Sequence, residues 1–387
     1  MKRFTILMLT VLLVFATTVT MAETDPVLCA GGSFMYARDN QGNWYVWGDN
    51  QFGQLGRGNK TQKKVIIYDF MSKNEEIDPT HIRNAFAGCD YSYLLMDDGR
   101  IFGVGNGVNG CFLKGGIFPT HIEVPMEDKT IVTMAPGFGQ TLALNEAGEV
   151  YAWGRNNAGQ VGMGKHISPV REVTKLDLPK ITQIAAGGKF SIALDENGVL
   201  WGWGDNANHE IANTKDKTFF TPVQIDTGDL KIKMIDAGGS FVAIVDENGD
   251  LYTWGANEHC QCGIETPKGA DVPEPTKIEF PLPVKHISVY SGQGYAVLTD
   301  GSLWSWGNNA YGQLGVGYRS AASDGVLPSK VYESDVVYVT VGSLFMQAML
   351  EDGTVISTGM NKFGQLGREA PYWGDCVLQP TGMDLIK

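Results

Sequence analysis

The sequence predicts an all-β fold, a seven-bladed β-propeller with four-stranded blades. Three observations carry this. A Trp-Gly step, or its degraded form, recurs about every fifty residues. A short turn rich in Asp, Glu, Asn and Gly precedes each step. The copies run through nearly the whole chain and leave no stretch for a second domain.

The glycine of the step marks each copy: Gly48, Gly105, Gly154, Gly204, Gly255, Gly307 and Gly359, spaced by 57, 49, 50, 51, 52 and 52 residues. Two copies are nearly superimposable. One runs from Ala186-Gly187-Gly188 to Asn206, the other from Ala237-Gly238-Gly239 to Asn257. Each begins with a short apolar strand ending at Ala-Gly-Gly, followed by a second apolar strand such as Phe190 to Leu194. The acidic, Gly-containing turn then reads as a hairpin, because Gly and Asn accept positive φ. A third strand carries the Trp-Gly step. A Gly-Gln-Leu-Gly type segment, a variable loop and a strand such as that at Pro222-Val223 complete the copy. Four strands on a period near fifty read as blades around an axis. A lone blade cannot bury both faces, whereas neighbours in a ring can.

The signature Trp-Gly-x-Asn-x-x-Gly-Gln-Leu-Gly is complete at Trp47 to Gly56 and at Trp306 to Gly315. It is nearly complete at Trp153 to Gly162 and, with Thr for Trp, at Thr358 to Gly367. On these residues the chain resembles the regulator-of-chromosome-condensation repeat family, from about Val27 to the C-terminus. Three copies depart from the pattern, at Val104 to Phe112, at Asn208-His209-Glu210-Ile211 and at His259-Cys260-Gln261-Cys262-Gly263. The resemblance implies that the terminal strands, Val27 to Ala30 and Val377 to Ile386, meet in one blade and close the ring.

The chain opens with Met1-Lys2-Arg3, an apolar run from Phe4 to about Ala16, and small residues at Thr20 and Ala22. This pattern predicts a signal peptide over residues 1–22, cleaved after Ala22, with the propeller domain at 23–387. The apolar run is shorter than the roughly 20 residues that a membrane span needs. The expected product is exported, to the cell surface, periplasm or medium, with no transmembrane segment after cleavage. The chain carries 30 basic and 43 acidic residues, net −13. Such a balance repels phosphate backbones and argues against nucleic acid as a partner.

No catalytic constellation is expected. The pairs Asp97-Asp98, Asp195-Glu196, Asp246-Glu247 and Glu351-Asp352 each precede a turn glycine, which assigns them to hairpins rather than to acid–base chemistry. Asp246 to Asp250 alternates acids like a Ca²⁺ loop but lacks the following Gly and the distal Glu. His81, His121, His166, His209, His259 and His286 form no metal-binding spacing on one element. His259-Cys260-x-Cys262 supplies soft ligands, yet export favours disulfides over metal there. Neither a metal nor a cofactor is expected.

The six cysteines are Cys29, Cys89, Cys111, Cys260, Cys262 and Cys376. In an up-and-down blade, the first-to-second and third-to-fourth loops share one face, and all six cysteines map toward it. Cys89 with Cys111 is one candidate disulfide and Cys29 with Cys376, across the seam, another. Cys260 and Cys262 remain as a strained vicinal possibility. The long loops after the closing motif lie toward the same face and carry aromatics that read as exposed: Tyr68 and Phe70, Phe112 and Phe118, Phe219 and Phe220, Tyr318, Tyr372 and Trp373. Aromatics anchor binding hot spots. Most of these aromatics, with His209 and His259, are the expected partner-binding set; Tyr68 and Phe70 are left out of it.

Three function classes follow. The first and favoured is an exported, non-catalytic and monomeric protein-binding scaffold, its partner an unidentified extracellular or envelope protein. It resembles the secreted propellers of the same superfamily that cover the active-site mouth of β-lactamases. The second is a carbohydrate-binding propeller. The third, implied by the family resemblance alone, is nucleotide exchange on a small GTPase; export and net charge argue against it.

Overall fold

The computed structural model describes residues 27–61, 68–70, 74–267, 270–321, 324–368 and 376–383. The expected signal peptide, Tyr372 and Trp373 lie outside the described residues, as do the side chains of Tyr68 and Cys376. The described residues form seven four-stranded antiparallel sheets, each a meander of consecutive strands. The seven-bladed expectation holds. The first strands are Val27–Ala30, Ile82–Ala87, Ile131–Pro136, Ile181–Ala186, Ile232–Ala237, Val284–Tyr290 and Val336–Val341. They pack against one another around the axis. The second strands are almost wholly buried, as in Phe190–Asp195 and Phe241–Asp246, because both of their faces meet neighbouring blades.

The Trp-Gly step has two jobs. Its glycines all hold φ between 96° and 113°. A Cβ on Gly204 would lie 2.5 Å from the Lys189 carbonyl oxygen, so no side chain fits. The tryptophan ties blades together. The indole N–H of Trp153, Trp203, Trp254 and Trp306 donates to the carbonyls of Cys111, Gln160, Glu210 and Gln261, each in the closing motif of the preceding blade, at 2.7–3.0 Å. Trp47 makes the same bond back to Gln365 of the last blade, at 3.0 Å. In the last blade Thr358 replaces Trp and its hydroxyl donates to Gly312 at 3.1 Å.

Within the closing motif the side chain of Asn accepts the N–H five residues on, as from Asn50 to Leu55 and from Asn309 to Leu314. The Gln Oε1 accepts the N–H two residues back, as from Gln54 to Phe52 and from Gln313 to Tyr311. These bonds account for the spacing of the signature residues. The acidic turns are structural as expected: Asp195 Oδ1 accepts from the N–H groups of Asn197 and Val199, and Asp246 Oδ1 from those of Asn248 and Asp250.

One expectation is corrected. The terminal strands do not share a blade. The first blade is built from the first four strands alone and the last from the final four, so each repeat coincides with one blade. The ring closes by side-by-side contact instead. Ser343 N–H donates to the Gly32 carbonyl at 2.9 Å, Ala30 N–H to Thr340 Oγ1 at 3.2 Å, and Trp47 to Gln365.

Candidate functional site

The cysteine-bearing face is the one that the meander predicts. Its first-to-second loops ring the channel mouth and its third-to-fourth loops lie outside them. The inner loops are stitched blade to blade: Gly188 N–H donates to Gly239, and Gly239 N–H to Ser291. Gln140 and Gln293 stand where other blades place Phe or Tyr, and their side-chain amides donate to the Gly187 and Gly342 carbonyls of the next blade at 2.8 Å. At the mouth, Phe138 of blade three meets Tyr290 of blade six, with ring centroids 5.1 Å apart.

Beside this aromatic pair, over blades four to seven, lies a polar cavity of about 520 Å³. Its inner wall comes from the inner loops, including Ser291, Gly292 and Ser343. Its outer wall comes from the closing motifs and the loops after them, including Asn208, Glu258, His259, Gln261 and Asp271. Glu258 and Asp271 are its acidic groups, and no Lys or Arg is among its lining residues. His259 Nε2 stands 3.5 Å from a Glu258 carboxylate oxygen, an ion pair when the ring is protonated. Burial pushes the Asp271 carboxyl upward, with His209 and Lys217 acting against the shift. Among the described residues Asp271 forms no hydrogen bond or ion pair. Gln261 is buried at 4% exposure; its Oε1 accepts the His259 N–H at 2.8 Å, and its amide nitrogen donates to no group among the described residues.

The backbone here is strained. Gly53, Gly110, Gly159, Gly312 and Gly364 hold positive φ at the first glycine of the closing motif. Blades four and five place His209 (φ 66°) and Cys260 (φ 54°) at that position. A side chain there costs about 1 kcal/mol or more. Two of the three departures noted in the sequence, those of blades four and five, therefore lie at one rim of the cavity.

The expected binding residues scatter. His259 lines the cavity and His209 is close enough to act on Asp271. Tyr318 is 52% exposed on the same face. Phe112 is fully buried in blade two against Tyr91, Tyr93 and Phe118, so it is corrected from a contact residue to a core residue. Phe70, read as exposed, is likewise buried, packed against Tyr36 and His121. Phe118, Phe219 and Phe220 are half-buried; Phe220 packs on His166 with centroids 5.6 Å apart. These aromatics were misread as loop residues: Phe118, Phe219 and Phe220 belong to fourth strands, and Phe112 packs into its own blade. Gln261, Asp271 and Glu258 carried no signal of their own, since each belongs to a repeat position or a loop.

The candidate disulfides are also corrected. Cys29, Cys89, Cys111, Cys260 and Cys262 are free thiols. Cys89 sits in the inner loop at the channel mouth, whereas Cys111 is buried within its blade and its thiol donates to the Gly139 carbonyl at 3.3 Å. Cys262 is buried with its thiol on the Ala256 carbonyl at 3.3 Å, and Cys260 lies against Gly325. The Cys29 to Cys376 pairing falls on a side chain outside the described ones. Among the described residues no group of three or more His, Cys, Asp or Glu is placed to hold a metal.

The model of the RCC1-like domain matches residues 114–385, and that of the regulator of chromosome condensation (RCC1) repeat matches residues 41–95. The chain is 28% identical over 294 residues to the ultraviolet-B receptor UVR8 of Arabidopsis thaliana, covering 73% of this chain and 66% of the relative. It is 27% identical over 357 residues to the E3 ubiquitin-protein ligase HERC2 of Mus musculus, covering 89% of this chain and 6% of the ligase. The chain thus spans less than two thirds of either relative. Among solved structures it is similar to Prp20p of Saccharomyces cerevisiae, a protein described with its binding to Gsp1p and histones. The TM-score is 0.76 at 21% identity, covering 87% of this chain and 85% of that one.

Proposed function

The chain belongs to the family of RCC1-like domains, and from that premise we propose that it is a non-catalytic protein-binding scaffold working through the face that carries the polar cavity. The observation that supports this most is the coincidence, on one rim, of the cavity with two side chains held at positive φ. Strain of this kind is retained where it serves a site. Protein binding is also the activity named for Prp20p, at an identity that carries the fold alone. The ligase relative shares 6% of its length with this chain, so its activity is not carried over. In the pairs weighed for hydrolysis, Asp195 and Asp246 serve as turn acceptors. Export, and with it a partner outside the cytoplasm, rests on the pattern from Met1 to Ala22. The cavity walls are mostly amides, hydroxyls and carboxylates, with the His259 imidazole as the ring among the described lining residues, which favours a protein over a stacked sugar.

The test is affinity capture with the whole chain as bait. Tyr311 and Tyr318 are exposed on blade six of the same face. Replacing both with Ala should lower capture of a specific protein at least tenfold, since exposed aromatics anchor such contacts. Replacing Glu196 and Glu247 with Ala, in hairpins on the opposite face, should leave capture unchanged. The reverse pattern would overturn the assignment of the face. Capture of glycan alone would overturn the scaffold.

A further inference from the structure

We propose that the cavity over blades four to seven receives a single guanidinium or ammonium group, the side chain of an arginine or lysine presented by a protein partner. This deepens the scaffold reading and rests on it.

Four observations converge. First, the cavity, at about 520 Å³, suits one long side chain with its adjoining backbone. Second, its carboxylates, Glu258 and Asp271, face no lining Lys or Arg, and its one titratable base is the His259 imidazole beside Glu258. Asp271 is half-buried yet accepts no hydrogen bond among the described residues. Lys217, which acts on it after His209, has its ammonium on the Ala207 carbonyl at 2.9 Å. A carboxylate withdrawn from water without a donor is unfavourable, and an entering cation with several N–H groups would satisfy it. Third, Gln261 is buried at the cavity wall and, among the described residues, its amide nitrogen donates to no group, which leaves a donor suited to a peptide carbonyl rather than to a cation. An acceptor pair for the charge beside a donor for the backbone describes a basic residue within a polypeptide. Fourth, the wall that holds these groups is held at the cost of the strained Cys260 and, next to it, His209.

The experiment uses the whole chain and calorimetric titration with four probes. Nα-acetyl-arginine amide and Nα-acetyl-lysine amide stand for a residue within a chain. Nα-acetyl-citrulline amide has the shape of arginine without the charge. Free arginine, with charged termini, stands for a small-molecule ligand. At least one capped basic amide should bind with a millimolar Kd, and the citrulline amide at least tenfold more weakly. The isosteric Glu258→Gln/Asp271→Asn double variant, shown folded by an unchanged thermal transition, should weaken the capped amide at least tenfold. Equal binding of citrulline amide, or full binding by the double variant, would overturn the proposal. Tighter binding of free arginine than of its capped amide would overturn the partner side chain in favour of a free amino acid. The two readings fail separately. Arginine-amide binding does not depend on Tyr311 and Tyr318, so losing one result leaves the other standing.

Discussion

In blade four a carboxyl group stands where five other blades place a Gln. Glu210 is buried at 1% exposure; its oxygens accept from the Asn208 backbone N–H and side-chain amide, both at 2.9 Å. Burial pushes its carboxyl up to about 7. The folded state therefore favours the protonated acid. Its stabilising contribution is complete below about pH 4.5 and is lost as pH rises through about 7. Glu210→Gln restores the repeat amide without the charge. The stability advantage of the variant over the parent should grow from near zero at pH 4.5 to on the order of 3 kcal/mol at pH 8. Urea denaturation across this range measures it, and a pH-independent difference would refute it. The substitution was visible in the sequence as a broken Gly-Gln-Leu-Gly motif. Its burial was not, because nothing local says that the motif's side chain turns inward. Cys111 tells the same story: a cysteine offered as a disulfide candidate is a core residue at the same repeat position.

At the scale of the blade, most of the structure was legible. Strand starts, hairpin turns and the Trp-Gly step all follow from local patterns of period two and turn chemistry. What local pattern does not encode is what the tryptophan does. Its indole N–H crosses to a carbonyl about 45 residues earlier, as Trp203 does to Gln160 at 2.9 Å. That carbonyl also accepts the Ser191 hydroxyl at 2.9 Å. Trp203→Phe removes one donor from a buried acceptor and leaves a small void, which should cost about 2 kcal/mol. Chemical denaturation reads the loss. A cost below about 0.5 kcal/mol would mean that the serine alone satisfies the carbonyl and that the indole serves only to fill space. The candidate site was less legible for the same reason. The cavity is made by four blades together, so its walls join residues that no single repeat places side by side. The aromatics of the long loops were conspicuous in the sequence but were largely consumed by packing, as Phe112 and Phe118 are.

The whole ring is where the sequence reading went astray, and the reason is physical. A propeller can close by sharing a blade between its ends or by abutting two complete blades, and a repeat pattern is the same in both. Here the repeats and the blades are in phase, so the seam is an ordinary interface between blades seven and one. Its bonds copy those of the internal interfaces: the Trp47 indole to Gln365, 318 residues apart, with Ser343 to Gly32 and Ala30 to Thr340 at the axis. One difference remains. Blades three and four are joined by a short connection between Lys175 and Ile181, so a weakened contact there is held at high effective concentration. The seam has no such tether, and when it opens the ring becomes a linear array with two new edges. Trp47→Phe removes the same kind of bond as Trp203→Phe. Its cost in global stability should be similar, about 2 kcal/mol. Its effect on local opening should be larger and confined. Amide hydrogen exchange should accelerate in Val27–Ala30 and Val336–Val341, the first strands on either side of the seam, well beyond the change in any other first strand. In Trp203→Phe the acceleration should be smaller and shared between Ile131–Pro136 and Ile181–Ala186. Equal local acceleration in the two variants would show that covalent connection contributes little, and that the seam is held as firmly as any blade pair.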